Sequence, residues 1–162
     1  MTIRSAKFGD IPRLTELMQE MHTRSCYAAR ATLDVKATKA LFMASIQRHG
    51  SHHVGGTSVE VAEKDGVVEG FLIGILDRCY HVLSQLMATD LFFYLSERGD
   101  PRDAMRLLNG FVTWAKGNPA VIEVRMGATN AIGDFERTSV LYRRAGLERC
   151  GEMYEWRAPC PA

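Results

Sequence analysis

The stretch Leu91-Phe92-Phe93-Tyr94-Leu95-Ser96-Glu97-Arg98-Gly99-Asp100-Pro101-Arg102-Asp103-Ala104-Met105-Arg106-Leu107-Leu108 decides the fold. Five apolar residues read as a strand, the next group is a polar turn, and a helix follows to about Lys116. Met105, Leu108, Phe111, Val112 and Ala115 share one face of that helix, and Gly117-Asn118-Pro119 stops it. A strand, turn and helix in this order aim unpaired amides and the helix dipole at an anion such as a phosphate. Arg98, Gly99 and Arg102 would add positive charge and close backbone approach. The same residues also suit an ordinary strand-to-helix turn with solvated arginines.

Upstream lies a hairpin. Thr57 to Glu63 alternates around Val59 and Val61, Asp65-Gly66 is a two-residue turn, and Val67 to Leu76 returns as an apolar run typical of a central strand. Cys79 to Asp90 is less regular. At the front of the chain, residues 2–7 read as a strand. Asp10 caps a helix that tolerates Pro12 in its first turn and carries Ile11, Leu14, Leu17, Met18 and Met21 on one stripe to about Arg24. After a connection from Tyr27 to Asp34, a second helix spans Val35 to Arg48, with Leu41, Phe42 and Ile46 near its inner face. Downstream come a strand at Val121–Met126, a helix at Asp134–Ala145, and two short strands at Leu147–Cys150 and Met153–Arg157. This order predicts an α/β domain over residues 1–162. Its single mixed, mostly antiparallel sheet of six to seven strands carries helices on both faces.

The 162 residues match the prior of about 100–200 per domain. The chain is 46% hydrophobic and 24% charged, which excludes a disordered or collagen-like chain. Twenty Lys and Arg against nineteen Asp and Glu give a formal charge of +1, so no global field draws it to nucleic acid or to an anionic membrane. Cys26, Cys79, Cys150 and Cys160 form no Cys-x-x-Cys pair and read as unpaired thiols of a reducing cytosol. The apolar run Val67–Leu76 is far short of the ~20 residues that span a bilayer. A cytoplasmic location is expected. His49, His52 and His53 have no Cys or carboxylate beside them at ligand spacing, so a solvated loop is expected and no metal.

Three further stretches carry a resemblance to the GNAT-type N-acetyltransferase superfamily, whose members move an acetyl group from acetyl-CoA to an amine. Ile3-Arg4-Ser5-Ala6-Lys7-Phe8-Gly9-Asp10-Ile11-Pro12 looks like that family's first strand and turn. Val61 to Gly70 is similar to its central hairpin, and Leu141-Tyr142-Arg143-Arg144-Ala145-Gly146-Leu147 to its Phe-Tyr-x-x-x-Gly-Phe ending. The order of elements matches along nearly the whole chain. The family's phosphate loop, Arg/Gln-x-x-Gly-x-Gly/Ala, fits imperfectly. Anchored on the helix, Gly99 stands at the Arg/Gln, Arg102 at a glycine and Ala104 at the final Gly/Ala. The depleted glycines resemble a divergent branch, bacterial or phage-encoded.

The resemblance implies acetyl-CoA as co-substrate, with no metal, and an amine of a small molecule or peptide as acceptor. It assigns the pyrophosphate to the turn, including Arg98, Gly99 and Arg102 and the amides of Asp103, Ala104, Met105 and Arg106. It places a backbone amide near Phe93, Tyr94 or Leu95 on the acetyl carbonyl, and Tyr142 as the acid for the leaving thiolate. Asp90 and Glu97 are candidate bases, and His22, Ser25 and Tyr27, between the first two helices, are candidate acceptor contacts. Each has a plainer reading: Tyr142 as packing, Arg143 and Arg144 as solvated. A homodimer is compatible with the scaffold, and so is a catalytically silent acyl-CoA-binding or partner-binding protein.

Overall fold

Asp65 and Gly66 both take positive φ (51° and 81°), the backbone of a two-residue hairpin turn. They fold β2 (Thr57–Lys64) back on β3 (Val67–Arg78) in the computed structural model, which describes residues 2–157. Around this hairpin the sheet runs β1 (Thr2–Ser5), β2, β3, β4 (Leu86–Leu95) and β5 (Val121–Arg125) in that spatial order. Neighbours are antiparallel except β4 and β5, which are parallel. A parallel neighbour needs a crossover, and α3 (Pro101–Lys116) supplies it.

Alternation along β3 sends Phe71 and Ile73 to one face and Leu72 to the other. On the first face they meet Leu14, Leu17 and Met18 of α1 (Ile11–Thr23) and Phe42 of α2 (Val35–Gln47). Phe42 and Phe71 stack edge to face with centroids 5.4 Å apart. On the second face Leu72, Leu76 and Ala88 pack against Leu107, Leu108, Phe111 and Ala115 of α3, and against Tyr142 of α4 (Phe135–Arg144). Each fully buried Leu or Phe contributes about 1.5–3 kcal/mol, so the two layers fix the sheet from both sides. Gly74 lets the Phe111 ring lie on β3, since a Cβ there would fall 2.1 Å from Phe111 Cε2.

Three expectations are corrected. Strand β4 begins at Leu86, not Leu91, because Leu86–Thr89 are held between β3 and β5 although Thr89 and Asp90 read as loop formers. Leu147–Cys150 and Met153–Arg157 are not strands. They find no sheet partner among the described residues, and Met153, Tyr154 and Trp156 stay exposed. The sheet therefore has five strands rather than six or seven. The opening strand closes at Ser5, because Lys7 already caps a short turn at Phe8–Asp10. Cys160 lies outside the described residues. Among those described, Cys26, Cys79 and Cys150 are free thiols, and no helix is long and apolar enough to cross a membrane.

Candidate active site

Pairing between β4 and β5 runs only from Leu86 to Thr89 on β4. Beyond Thr89 the two strands part, and β4 continues to Leu95 with β3 as its one neighbour among the described residues. The parting coincides with a bulge: Phe92 faces Ile73 and Asp90 faces Gly74, so Leu91 is an extra residue on β4. A bulge leaves one residue out of the ladder and turns its neighbours. Where the strands part, the residues just past β5 turn across the gap. Gly127 donates its amide N–H to Asp90 Oδ1 (3.2 Å), and its carbonyl accepts from the Tyr142 hydroxyl (3.2 Å). Tyr142 reaches this point from the last turn of α4, a helix whose N-terminus is fixed by Asp134 accepting from the Glu136 amide.

Both side chains titrate abnormally. Burial pushes the Asp90 carboxyl above its ordinary range, opposed by the hydrogen bond from Gly127. Burial, and then the nearby Asp90 charge, raise the Tyr142 phenol well above its ordinary value. The carboxyl and the phenol are thus both held toward their protonated forms, one residue's backbone apart, where the sheet breaks.

At the other end of the exposed β4 segment, the turn 96–100 is crowded with its own contacts. The Ser96 hydroxyl accepts from the Arg98 amide, the Ser96 carbonyl from the Gly99 amide, the Asp100 carboxylate from the Arg102 amide, and the Asp100 carbonyl from the Asp103 amide. Pro101 has no N–H to offer. Asp103 is fully buried, ion-paired on one oxygen with Arg106 (3.0 Å) and without a hydrogen-bond partner on the other. Arg98 sits 3.5 Å from buried Glu69 and 3.7 Å from Glu20, and Arg102 3.7 Å from Asp100. Met105 and Arg106 lie inside α3, past the first four positions whose amides lack helical partners. Their amides point into the helix rather than at a ligand.

No family model matches the chain, and no curated protein matches its sequence. Solved structures do match over nearly its full length. A ribosomal-protein-alanine N-acetyltransferase from Brucella melitensis superposes with a TM-score of 0.65 at 14% identity, covering 98% of this chain and 100% of its own. A glucosamine-6-phosphate N-acetyltransferase from Arabidopsis thaliana gives 0.68 at 10% identity, covering 96% and 97%. An aminoglycoside 6′-N-acetyltransferase from Acinetobacter haemolyticus gives 0.67 at 12%, covering 98% and 99%. The fold is that of the GNAT-type acetyltransferases.

Within this GNAT fold the sequence-predicted residues fall into three places. Tyr142 and Asp90 meet through Gly127. Glu97, just beyond β4, is exposed and pairs with Arg24 (3.5 Å). Six residues of strand and turn separate it from Asp90. Phe93, Tyr94 and Leu95 lie between these ends. Phe93 and Leu95 pack toward α3, while Tyr94 is buried toward α1 with its hydroxyl 3.4 Å from Arg24 Nη1. Arg98, Gly99, Arg102, Asp103 and Ala104 form the turn and first turn of α3. Gly99 has no room for a side chain, since a Cβ would lie 2.5 Å from Leu95 Cδ1. His22, Ser25 and Tyr27 belong to the end of α1 and the loop after it. His22 Nε2 meets the Ala31 carbonyl (2.8 Å), Ser25 Oγ donates to the His22 carbonyl, and the Arg157 guanidinium covers the Tyr27 ring. That loop is tied to the segment after β5 by the Cys26 amide donating to the Ala131 carbonyl (2.9 Å). Arg143 and Arg144 are exposed.

Sequence reasoning missed Gly127 and Glu69. A glycine directly after a strand was a readable signal for Gly127. Nothing in the sequence announces that Glu69 is buried, accepting from Ser96 Oγ (2.6 Å) and paired with Arg13 and Arg98. Among the described residues no three His, Cys, Asp or Glu gather as a metal site, and His49 Nδ1 accepts from the Val59 amide.

Proposed function

We propose that this protein is an acyltransferase that moves an acetyl group from a thioester to a primary amine of a small molecule or peptide. The observation that carries the reading is the pair Asp90 and Tyr142, joined through the two backbone groups of Gly127 where β4 and β5 part. The amine must be neutral to attack. Asp90, whose carboxyl burial makes more basic than an ordinary aspartate, takes its proton directly or through one water. It is favoured over Glu97, which is exposed and lies at the far end of the cleft. As the N–C bond forms, negative charge grows on the carbonyl oxygen, and amides of β4 that face the gap beside the Leu91 bulge are suited to receive it. The C–S bond then breaks.

Tyr142 serves the leaving sulfur as a hydrogen-bond donor rather than as a source of a proton. A thiol titrates near 8.5 and a phenol near 10, and burial widens that gap. The phenol therefore stays protonated and stabilises the thiolate, while the thiol proton comes from solvent. The fit of acetyl-CoA, the donor that the resemblance implies, divides along its length. The acyl end suits the Asp90–Tyr142 point, but in the β4–α3 turn the Arg98, Gly99, Arg102 and Asp103 amides already have acceptors on Ser96 and Asp100, and Arg98, Arg102 and Arg106 lie against acids. That second observation favours the silent-binder alternative. The two readings separate on one assay: release of free thiol from an acetyl thioester with a panel of amines, together with a product heavier by one acetyl group. Binding without turnover selects the silent protein.

A further inference from the structure

We propose that Arg157 is a positioning residue for the site: it staples the connection between α1 and α2 to the segment after β5, and so holds Gly127 between Asp90 and Tyr142. The inference rests on the acyl-transfer reading and adds to it a residue from the far end of the described chain. The contacts of the Arg157 guanidinium carry it. The group lies over the Tyr27 ring, 5.6 Å from its centroid, donates to Asn130 Oδ1 (3.0 Å) and pairs with Glu155. Tyr27 follows Cys26, Asn130 precedes Ala131, and the Cys26 amide donates to the Ala131 carbonyl (2.9 Å). Arg157 thus bridges the neighbours of both partners of one backbone hydrogen bond.

The stapled segment is the one that carries Gly127. Residues 126–133 form no helix or strand, so no regular ladder fixes their path. They are tied at Gly127, to Asp90 and Tyr142, and at Asn130 and Ala131, by the staple. Ala128 and Thr129 alone stand between Gly127 and Asn130, a tether of at most about 11 Å. The other side of the staple is anchored too. Arg24, where the connection leaves α1, has its Nη1 3.4 Å from the Tyr94 hydroxyl of β4 and 3.5 Å from Glu97. The connection therefore runs from β4 to the segment after β5, and Arg157 fixes its second end.

Releasing the staple loosens the Gly127 amide from Asp90. That amide favours the charged carboxylate, so its loss moves the carboxyl further above its ordinary range. Tyr142 of α4 is the titratable side chain facing Asp90, and it stays neutral while the carboxyl titrates. Around Arg157 stand Glu155, Cys26 and Tyr27.

The test is a carbon-13 NMR titration of the Asp90 carboxyl in wild type, Arg157→Ala and Asn130→Ala, with Asp90→Asn to assign the signal. Asn130 is exposed, so its truncation spares the core, and it cuts the tie while keeping the guanidinium charge. The expected result is a titration midpoint at least about 0.3 pH higher in both variants, which is a twofold loss of rate on the acid limb of thiol release from acetyl-CoA. The KM for acetyl-CoA should not change. A smaller move in both variants overturns the proposal. A move in Arg157→Ala alone also overturns it, since Arg157 then acts as a distant charge. If the midpoints move while the wild type releases no thiol with any amine, the staple stands and the acyl-transfer reading falls.

Discussion

Replacing Tyr142 by Phe removes one hydroxyl and keeps a ring that is 8% exposed and part of the core on the α3 side of the sheet. In the resting protein the hydroxyl donates only a 3.2 Å hydrogen bond to the Gly127 carbonyl. Gly127 is exposed, so water can take over that acceptor, and the loss of stability should be at most about 1 kcal/mol. In the transition state the same hydroxyl faces a sulfur gaining negative charge. Hydrogen bonds to charged groups contribute about 1.5–3 kcal/mol, which converts to a rate loss of roughly 10- to 150-fold. Because the interaction exists only while the thiolate forms, kcat and kcat/KM should fall together and KM should stay put. Steady-state thiol release over pH 6–10 measures this. It should also show no basic limb from the phenol in the wild type, since burial and Asp90 hold its titration above that range. A Tyr142→Phe protein that turns over within twofold of wild type would refute the role given to the phenol.

Asp90→Asn keeps an acceptor for the Gly127 amide and deletes the buried charge. The wild-type carboxyl titrates higher in the folded chain than in the unfolded chain, so its contribution to stability is complete below about pH 4 and falls as pH rises through the folded value. The variant should thus melt above wild type at pH 7 and meet it near pH 3.5. Melting curves that stay parallel across that range would remove the burial argument. The same variant should lose most of its turnover at neutral pH, read as thiol release. Gly74→Ala puts a methyl into the Phe111 ring and should cost about 1–3 kcal/mol in urea denaturation; an unchanged midpoint would mean that α3 shifts freely on the sheet. Glu69→Gln retains the Ser96 hydrogen bond but leaves Arg13 and Arg98 without their buried anion. Arg13 keeps Glu16 and Glu20, and Arg98 is largely solvated, which limits the loss to about 1–2 kcal/mol, again read from urea midpoints.

The elements that were legible are those whose signals are local. The Asp65-Gly66 turn, the apolar run of β3, the stripe on α1 and the Pro101 start of α3 each announce themselves within a few residues. The first half of β4 did not. Met87, Ala88, Thr89 and Asp90 have no strand pattern; the first three are extended because β3 and β5 hold them from both sides, and Asp90 is held by β3. Met153 to Arg157 erred the other way: its apolar residues invite a strand, but no neighbour in the described sheet pairs with it. The place of Tyr142 at the end of a helix leaves packing and projection both open, and its assignment to the site comes from the family resemblance alone. Nor is the meaning of Asp103 legible, since a first-turn aspartate is an ordinary surface residue until packing buries it completely. The turn thus reads in sequence as either an anion cradle or an ordinary strand-to-helix turn, and the structure adds that Asp100 caps the helix and Asp103 is buried beneath it.

Gly127 has a practical consequence for anyone mapping this site by mutation. It holds Asp90 with its amide and Tyr142 with its carbonyl, and contributes no side chain to either contact. A Cβ added there would meet nothing within 4 Å, and its φ is not one reserved for glycine. An alanine scan would therefore score position 127 as inert while passing over a residue whose backbone holds both Asp90 and Tyr142. What links the carboxyl to the phenol here is written in the path of the main chain, and only a change that bends that path, such as an insertion or a proline, would make the link visible.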